Sequence, residues 1–268
     1  MFRIDDLASD LSELLKKEYK PLCDKKFSEV EITDEDERLP EGAMLDEYTY
    51  DRKISLRIDD EYFFELSLAT EDYDMSNNLF FKKAVKHGTA ILLKEFEVLM
   101  DITEIAKRLL KLTITKKDKA SERIVKNFYK VYTDTLYKAF CGLFAGRHRL
   151  DVYPCIKWKR ILGYLYFTTG IPRSTLCRFA IALSLNTEGY FENQTREIKR
   201  QINIIIDKIL PTEFLSVNLG LVLYKYKIEI LDLLERRRFD EIVKKAILDV
   251  LEVENNDCKK EVNNNESN

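Results

Sequence analysis

The chain has 268 residues, of which 45% are hydrophobic and 34% charged, which is enough for one or two domains with a substantial core. It has no apolar run long enough to cross a bilayer and no basic-then-apolar leader, and its five scattered cysteines lack C-x-x-C spacing, so we expect a cytoplasmic protein without a disulfide framework or zinc site. The net charge of −3 conceals a basic body, because residues 76–238 carry 30 Lys and Arg against 16 Asp and Glu, which favours a polyanionic partner.

Residues 1–47 are predicted to form an N-terminal helix and an acidic linker. Apolar residues recur at helical spacing over residues 1–20, and Pro40 and Gly42 interrupt the acidic stretch over residues 28–47. Because the polar face of the helix is acidic, anionic lipid would repel it. A packing or dimer-contact helix is therefore expected, rather than a membrane anchor.

Residues 48–104 are predicted to form a strand and two helices. The strand alternates apolar and polar residues: Ile54, Leu56 and Ile58 against Lys53, Ser55 and Arg57. Helices are expected over residues 60–72 and from Ser76 to about Met100. Lysine, arginine and serine can bond base edges in the major groove, so Lys53, Ser55 and Arg57 are candidate base contacts. Ser76 and Asn77, at a helix N-terminus, are candidate phosphate contacts. The alternative is an exposed strand with a merely polar outer face.

Residues 105–238 are predicted to contain a second and a third unit of the same kind. The second has a strand over residues 110–115 and a helix that contains Leu136. Lys116 and Lys117 belong to the densest basic run of the chain and are candidate phosphate contacts. The alternative is that these lysines and arginines lie on solvated helix faces.

The third unit begins with a strand over residues 147–153, whose outward side chains are predicted to be Arg149, Asp151 and Tyr153. The aspartate disfavours nonspecific binding but can accept a hydrogen bond from cytosine N4. Gly170 is suited to ending one helix, and the next begins near Pro172. Three polar residues of that helix, Arg173, Ser174 and Arg178, are candidate phosphate contacts.

The three units share one spacing. Phe80 follows Leu56 by 24 residues, Leu136 follows Leu112 by 24, and Leu176 follows Val152 by 24. The order strand, helix, turn, helix is that of a ribbon-helix-helix unit, whose paired strands enter the DNA major groove. The sequence therefore predicts a mainly α protein with ribbon-helix-helix-like units and a helical C-terminal region. The alternative is an ordinary helical domain in which the alternation recurs by chance.

Beyond Asn186 the pattern is helical. Segments are predicted over residues 196–210, 213–238 and 239–253, and the polar residues 254–268 are expected to be disordered. Residues 239–268 thus form a C-terminal helix and tail.

One motif carries a family resemblance. Thr169-Gly170-Ile171, followed by Leu176-Cys177-Arg178, Ala180 and Leu183-Ser184-Leu185, resembles the DndE family of DNA phosphorothioate modification systems, over residues 147–238. The resemblance implies a non-catalytic DNA-binding subunit that recognises nicked duplex and assembles as an oligomer. Arg178 and Arg173 are the residues that it implies as contacts.

Catalytic and cofactor motifs are not found. The chain has no phosphate-binding glycine loop, H-E-x-x-H or G-x-S-x-G, and His87 and His148 have no ligand-spaced neighbours, so no catalytic residue, metal or cofactor is assigned. Cys177, beside Arg178, is expected to be a buried packing residue rather than a reactive thiol. A nuclease that uses only carboxylates stays an alternative.

These features together predict a non-catalytic protein that binds double-stranded DNA, resembling DndE. Two alternatives are a ribbon-helix-helix transcriptional regulator that binds a specific operator and a helical protein–protein adaptor. The expected partners are duplex DNA and either further copies of the chain or DNA-modification enzymes, with no membrane partner.

Overall fold

The computed structural model describes residues 19–38, 53–211, 215–237 and 239–265. These residues are mainly helical, as predicted, and their two strands form one antiparallel sheet. Within the described ranges, none of the helices combines the length and apolarity needed to pass through a bilayer.

The elements follow one another along the chain, with short 3-10 turns at Phe27–Glu29 and Asn186–Glu188 and a π-helical turn at Ser216–Gly220. In order they are α1 (Lys20–Cys23), α2 (Asp34–Glu37), β1 (Ile54–Ile58), α3 (Asp60–Glu71), α4 (Asn77–Glu95), α5 (Glu97–Thr115), α6 (Lys119–Phe140), β2 (His148–Val152), α7 (Ile156–Thr169), α8 (Arg173–Leu185), α9 (Glu192–Ile209), α10 (Leu221–Lys225), α11 (Lys227–Arg236) and α12 (Glu241–Asn265).

Two compact units divide these elements. The first contains the described residues up to Phe96 together with Tyr137–Gln201, and the second contains Glu97–Leu136 together with the described residues from Ile202 onward. The sequence-based boundaries at residues 104 and 238 do not coincide with this division, because each compact unit is built from two stretches that are distant in sequence.

The two predicted strands of the first unit, near residues 54–58 and 147–153, are both present and pair with each other. The register places Ser55 opposite Asp151, Leu56 opposite Leu150 and Arg57 opposite Arg149. Ile54, Leu56 and Ile58 are buried, whereas Ser55 and Arg57 are exposed, as period-two alternation requires. The sheet therefore has one face on the core and one face open.

Each strand is followed by two helices, and the second helices, α4 and α8, pack against each other. Gly88 of α4 lies so close to Ala180 of α8 that an added Cβ would overlap the Ala180 carbonyl. Phe80 and Leu176, the equivalent positions of the 24-residue spacing, are both buried. Gly170 ends α7 in the left-handed conformation (φ 73°), as predicted.

The prediction of a strand over residues 110–115, in the second of the three strand-helix-helix units, is wrong. Residues 110–115 are the last turns of helix α5, and Ile114 is exposed. Ile102, Ala106, Leu109 and Thr113 lie on one buried helical face, so the 3.6-residue period of the longer segment outweighs a six-residue alternation. The fold thus contains two strand-helix-helix segments in the described ranges.

The acidic linker is partly structured. Asp36, within the stretch predicted to be a surface loop, is buried and accepts hydrogen bonds from Trp158 Nε1 (2.6 Å) and Lys86 Nζ (2.7 Å). Paired hydrogen bonds of this kind compensate for the cost of burying a carboxylate. The predicted helix over residues 1–20 and the rest of the linker lie almost entirely outside the described residues.

The second compact unit is helical throughout its described part. Tyr132 on α6 donates its hydroxyl to the carbonyl of Leu99 on α5 at 2.6 Å. The predicted helix over residues 213–238 is interrupted at Tyr226, between α10 and α11. Helix α12 continues to Asn265, so the predicted disorder from Glu254 is wrong that far.

Candidate nucleic-acid interface

The open face of the β1–β2 ribbon brings together the three predicted base contacts. Ser55 and Arg57 are exposed and Lys53 is partly exposed, all on the face opposite the buried Leu56. Strand β2 adds Arg149 to the same face, directly opposite Arg57. The ribbon therefore presents a cluster of basic and hydroxyl side chains from both strands.

Asp151 occupies the centre of this face. Its carboxylate accepts a hydrogen bond from Ser55 Oγ at 2.6 Å and lies 3.3 Å from Arg149 Nε and 3.7 Å from Lys53 Nζ. The hydrogen bond from Ser55, and then the two cations, lower the pKa of Asp151. Asp151 therefore stays ionised at neutral pH, as a fixed hydrogen-bond acceptor between the cationic side chains of Arg149 and Lys53.

Arg57 and Arg149 carry like charges on directly opposed residues, an arrangement that destabilises a strand pair. Arg149 is partly neutralised by Asp151, but the Arg57 guanidinium has no ion pair within the described ranges. A bound anion or acceptor-rich base edge would satisfy it. Arg57 is thus the most available donor of the ribbon.

One end of the ribbon is fixed by a second acidic group. Asp60, in the first turn of α3, accepts hydrogen bonds from Arg147 Nη2 (2.8 Å) and lies 2.7 Å from His148 Nε2. The His148 ring stacks on Phe63 with centroids 4.4 Å apart. These partners lower the pKa of Asp60, the His148 contact contributing most. The sequence alone did not indicate this cluster, because its members are about 90 residues apart.

Arg178 is not an exposed phosphate contact, contrary to the sequence-based prediction. Only 3% of the residue is exposed, and its guanidinium donates to the Arg57 carbonyl (2.9 Å) and to Thr175 Oγ1 (3.2 Å). Its own carbonyl accepts a hydrogen bond from Tyr62 at 2.6 Å. Helix α8 is buried from Thr175 to Leu185, so Arg178 supports strand β1 from inside.

Four of the other predicted phosphate contacts lie at helix N-termini. Ser76 caps α4 by accepting a hydrogen bond from the Leu79 amide (3.4 Å), and both Ser76 and Asn77 are exposed. At the start of α8, Arg173 and Ser174 are partly exposed. Both helix ends offer amide groups at which a phosphate could bind.

Lys116 and Lys117 belong to the second unit. Lys116 is paired with Glu229 and lies 5.0 Å from the centre of the Tyr226 ring, and Lys117 is exposed with a φ of 56°. The same unit carries a basic stripe on the open surface of α6, defined here as Lys119, Arg123, Lys126 and Lys130. Of these four, Lys126 is paired with Glu122, and the other three have no ion pair in the described part of the chain.

Nucleophilic and metal-binding groups do not converge in the described residues. Cys177 is fully buried and burial raises the pKa of its thiol to about 12, which confirms its packing role. No group of three or more His, Cys, Asp and Glu side chains within these ranges is placed to hold a metal ion.

Comparison with known proteins finds no relative: no family model, curated protein or solved structure matches the chain. The function is therefore inferred from the geometry of the chain itself.

Proposed function

We propose that this chain is a non-catalytic DNA-binding protein that places the β1–β2 ribbon in the major groove of a duplex. The observation that carries the proposal is the ribbon's open face, where Lys53, Ser55, Arg57 and Arg149 stand over a buried Leu56. A two-stranded ribbon fits the major groove, and these side chains can bond base edges there.

The rest of the first unit supports a ribbon-helix-helix interpretation. Both strands lead into helix pairs, and α4 packs against α8 as the second helices of such a fold would. Ser76 and Asn77 at one helix start, with Arg173 and Ser174 at the other, supply phosphate contacts that would fix the ribbon's register on the duplex. Lys116 and Lys117 would add attraction to the phosphate backbone from the second unit.

Two roles follow from DNA binding. A DndE-like subunit of a DNA-modification system is supported by the motif over residues 169–185, although Arg178 of that motif faces the interior. A transcriptional regulator with a specific operator is supported by outward side chains suited to base contacts. The first role predicts a preference for nicked duplex and a modification-enzyme partner, and the second predicts a preference for sequence.

A protein–protein adaptor is the competing function, and one observation favours it. Helix α3 exposes three large apolar side chains on its surface, Phe63, Phe64 and Leu68, of which Phe64 is 62% exposed. Exposed apolar patches on small units often contact other proteins. An adaptor would show no salt-dependent affinity for DNA.

Binding of specific, random and nicked duplexes across salt concentrations tests the proposal. The double variant Lys53→Ala, Arg57→Ala should bind duplex at least about 10-fold more weakly, since each lost base contact costs roughly 1–3 kcal/mol. The matched control removes the same charge from α9, as Arg196→Ala, Arg200→Ala, where both arginines are exposed and paired with Glu192 and Glu197. Equal loss in both variants, or no salt-dependent binding by the unchanged protein, would contradict the proposal.

A further inference from the structure

We infer that one chain recognises a non-palindromic duplex site, and that Asp151 selects adenine or cytosine, rather than guanine or thymine, on the DNA strand that it contacts at the centre of that site. This inference rests on the proposed DNA-binding function and deepens it, because it names the kind of site that the ribbon reads.

The ribbon is complete within a single chain. Strands β1 and β2 pair over residues 54–58 and 148–152, so no second copy is needed to build the two-stranded element. In a ribbon made by two identical chains, each side chain would occur twice, and the preferred site would mirror that symmetry. A ribbon made by one chain is free of this constraint.

An approximate twofold axis passes between Ser55 and Asp151. These residues face each other in the register, and each is followed 25 residues later by the buried anchor of its second helix, Phe80 and Leu176. The axis makes Lys53 equivalent to Arg149 and Arg57 equivalent to Tyr153.

All three outward pairs of equivalent positions therefore differ in chemistry: lysine and arginine, serine and aspartate, arginine and tyrosine. Tyr153 is 48% exposed, so it replaces a guanidinium donor with an aromatic ring and hydroxyl at one end of the ribbon. The two halves of a bound site would meet different side chains, which favours different bases in each half.

Asp151 has the sharpest consequence because an ionised carboxylate only accepts hydrogen bonds. In the major groove, cytosine N4 and adenine N6 are donors, whereas guanine N7 and O6 and thymine O4 are acceptors that a carboxylate repels. Ser55 Oγ, 2.6 Å away, and the cations of Lys53 and Arg149 hold the carboxylate at the centre of the open face. Asp151 would thus discriminate between base edges without adding affinity for phosphate.

Selection of bound duplexes from a random library measures the preferred sequence, and the mass of the complex gives the number of chains bound per site. Together the two measurements test the inference. The unchanged protein should enrich an asymmetric motif and bind one chain per site. Asp151→Asn adds an amide donor, so its discrimination against guanine or thymine edges at the central position should fall about 10-fold or more. Asp134→Asn, an exposed aspartate on α6, is the matched control and should keep the preference.

If Asp151→Asn is poorly folded, Ser55→Ala provides a second variant. It removes the hydrogen bond that orients Asp151 and keeps the carboxylate. The Ser55→Ala variant should weaken the central preference in the same direction. A palindromic motif bound by two chains, or an unchanged central preference in both variants, would overturn the inference. Sequence-independent binding by one chain would overturn it while leaving DNA binding intact, and no binding at all would instead refute the proposed function.

Discussion

Single side chains of the first unit connect segments that are far apart in sequence. Arg178 joins α8 to strand β1 through the Arg57 carbonyl, and Tyr62 of α3 donates to the Arg178 carbonyl. Trp158 of α7 and Lys86 of α4 meet at the buried carboxylate of Asp36. Buried polar groups with such partners specify one arrangement of the backbone, because any other arrangement would leave them unpaired.

His87 gives a pH-dependent prediction at this scale. It is fully buried on α4, its Nδ1 lies 3.0 Å from Ser184 Oγ, and burial lowers its pKa from 6.5 to about 4. Between these values the unfolded chain takes up a proton that the folded protein does not bind. We therefore expect the free energy of unfolding to fall as the pH drops from 6.5 to 4, with His87 contributing up to about 3 kcal/mol of the loss.

Urea unfolding at pH 7, 6, 5 and 4 measures this dependence. His87→Gln cannot titrate and should show a shallower decline, whereas Ser184→Ala keeps the imidazole and should retain the steep one. A decline of equal slope in His87→Gln would mean that other groups cause it.

At the scale of elements, the ribbon depends on the close crossing of α4 and α8. Both helices are apolar on their contacting sides, and Gly88 allows the backbones to meet at Ala180. Ser55 and Arg57 stay on the open face because Ile54, Leu56 and Ile58 are packed beneath them. The position of the candidate interface is therefore set by the helix pair behind it.

Gly88→Ala tests this dependence. Its Cβ would overlap the Ala180 carbonyl, so we expect a loss of about 2–3 kcal/mol in the free energy of unfolding, in the upper part of the range for overpacking. Gly163→Ala is the matched control, since it lies within α7 with nothing within 4 Å of the added Cβ. That variant should be neutral or more stable by up to about 1 kcal/mol. Equal stability of the two variants in thermal or urea unfolding would refute the close-crossing account.

For the whole molecule, the distribution of charge matters more than its sum. The net charge is −3, yet the basic stripe of α6 has three cations without an ion pair in the described part of the chain. Such a surface attracts polyanions over a distance set by ionic strength, but this attraction does not depend on the base sequence.

The triple variant Lys119→Ala, Arg123→Ala, Lys130→Ala separates these two effects. We expect weaker duplex binding at low salt, a shallower dependence of affinity on salt, and an unchanged preference among sequences. The comparison is a salt titration of the variant and the unchanged protein on the selected site and on random duplex. A changed sequence preference would show that the stripe contributes to base recognition.

Local patterns were sufficient to predict several features. The alternation around Leu56 and Val152 predicted both strands and their outward side chains, Ser76 predicted a helix start, and Gly170 predicted a helix end. Each is a short-range property, fixed by the pleat of a strand or by the backbone freedom of one residue. Residues 110–115 alternate over six positions like a strand, but they lie within a longer amphipathic helix.

The sequence by itself determined which segments could be half-buried strands and which side chains those strands would present. Only the tertiary structure decided that β1 pairs with β2, that Asp60 binds Arg147 and His148, and that Arg178 faces inward. The physical reason is that strand pairing and burial depend on contacts between residues about 90 or more apart, and the packing of α4 on α8 sets those contacts.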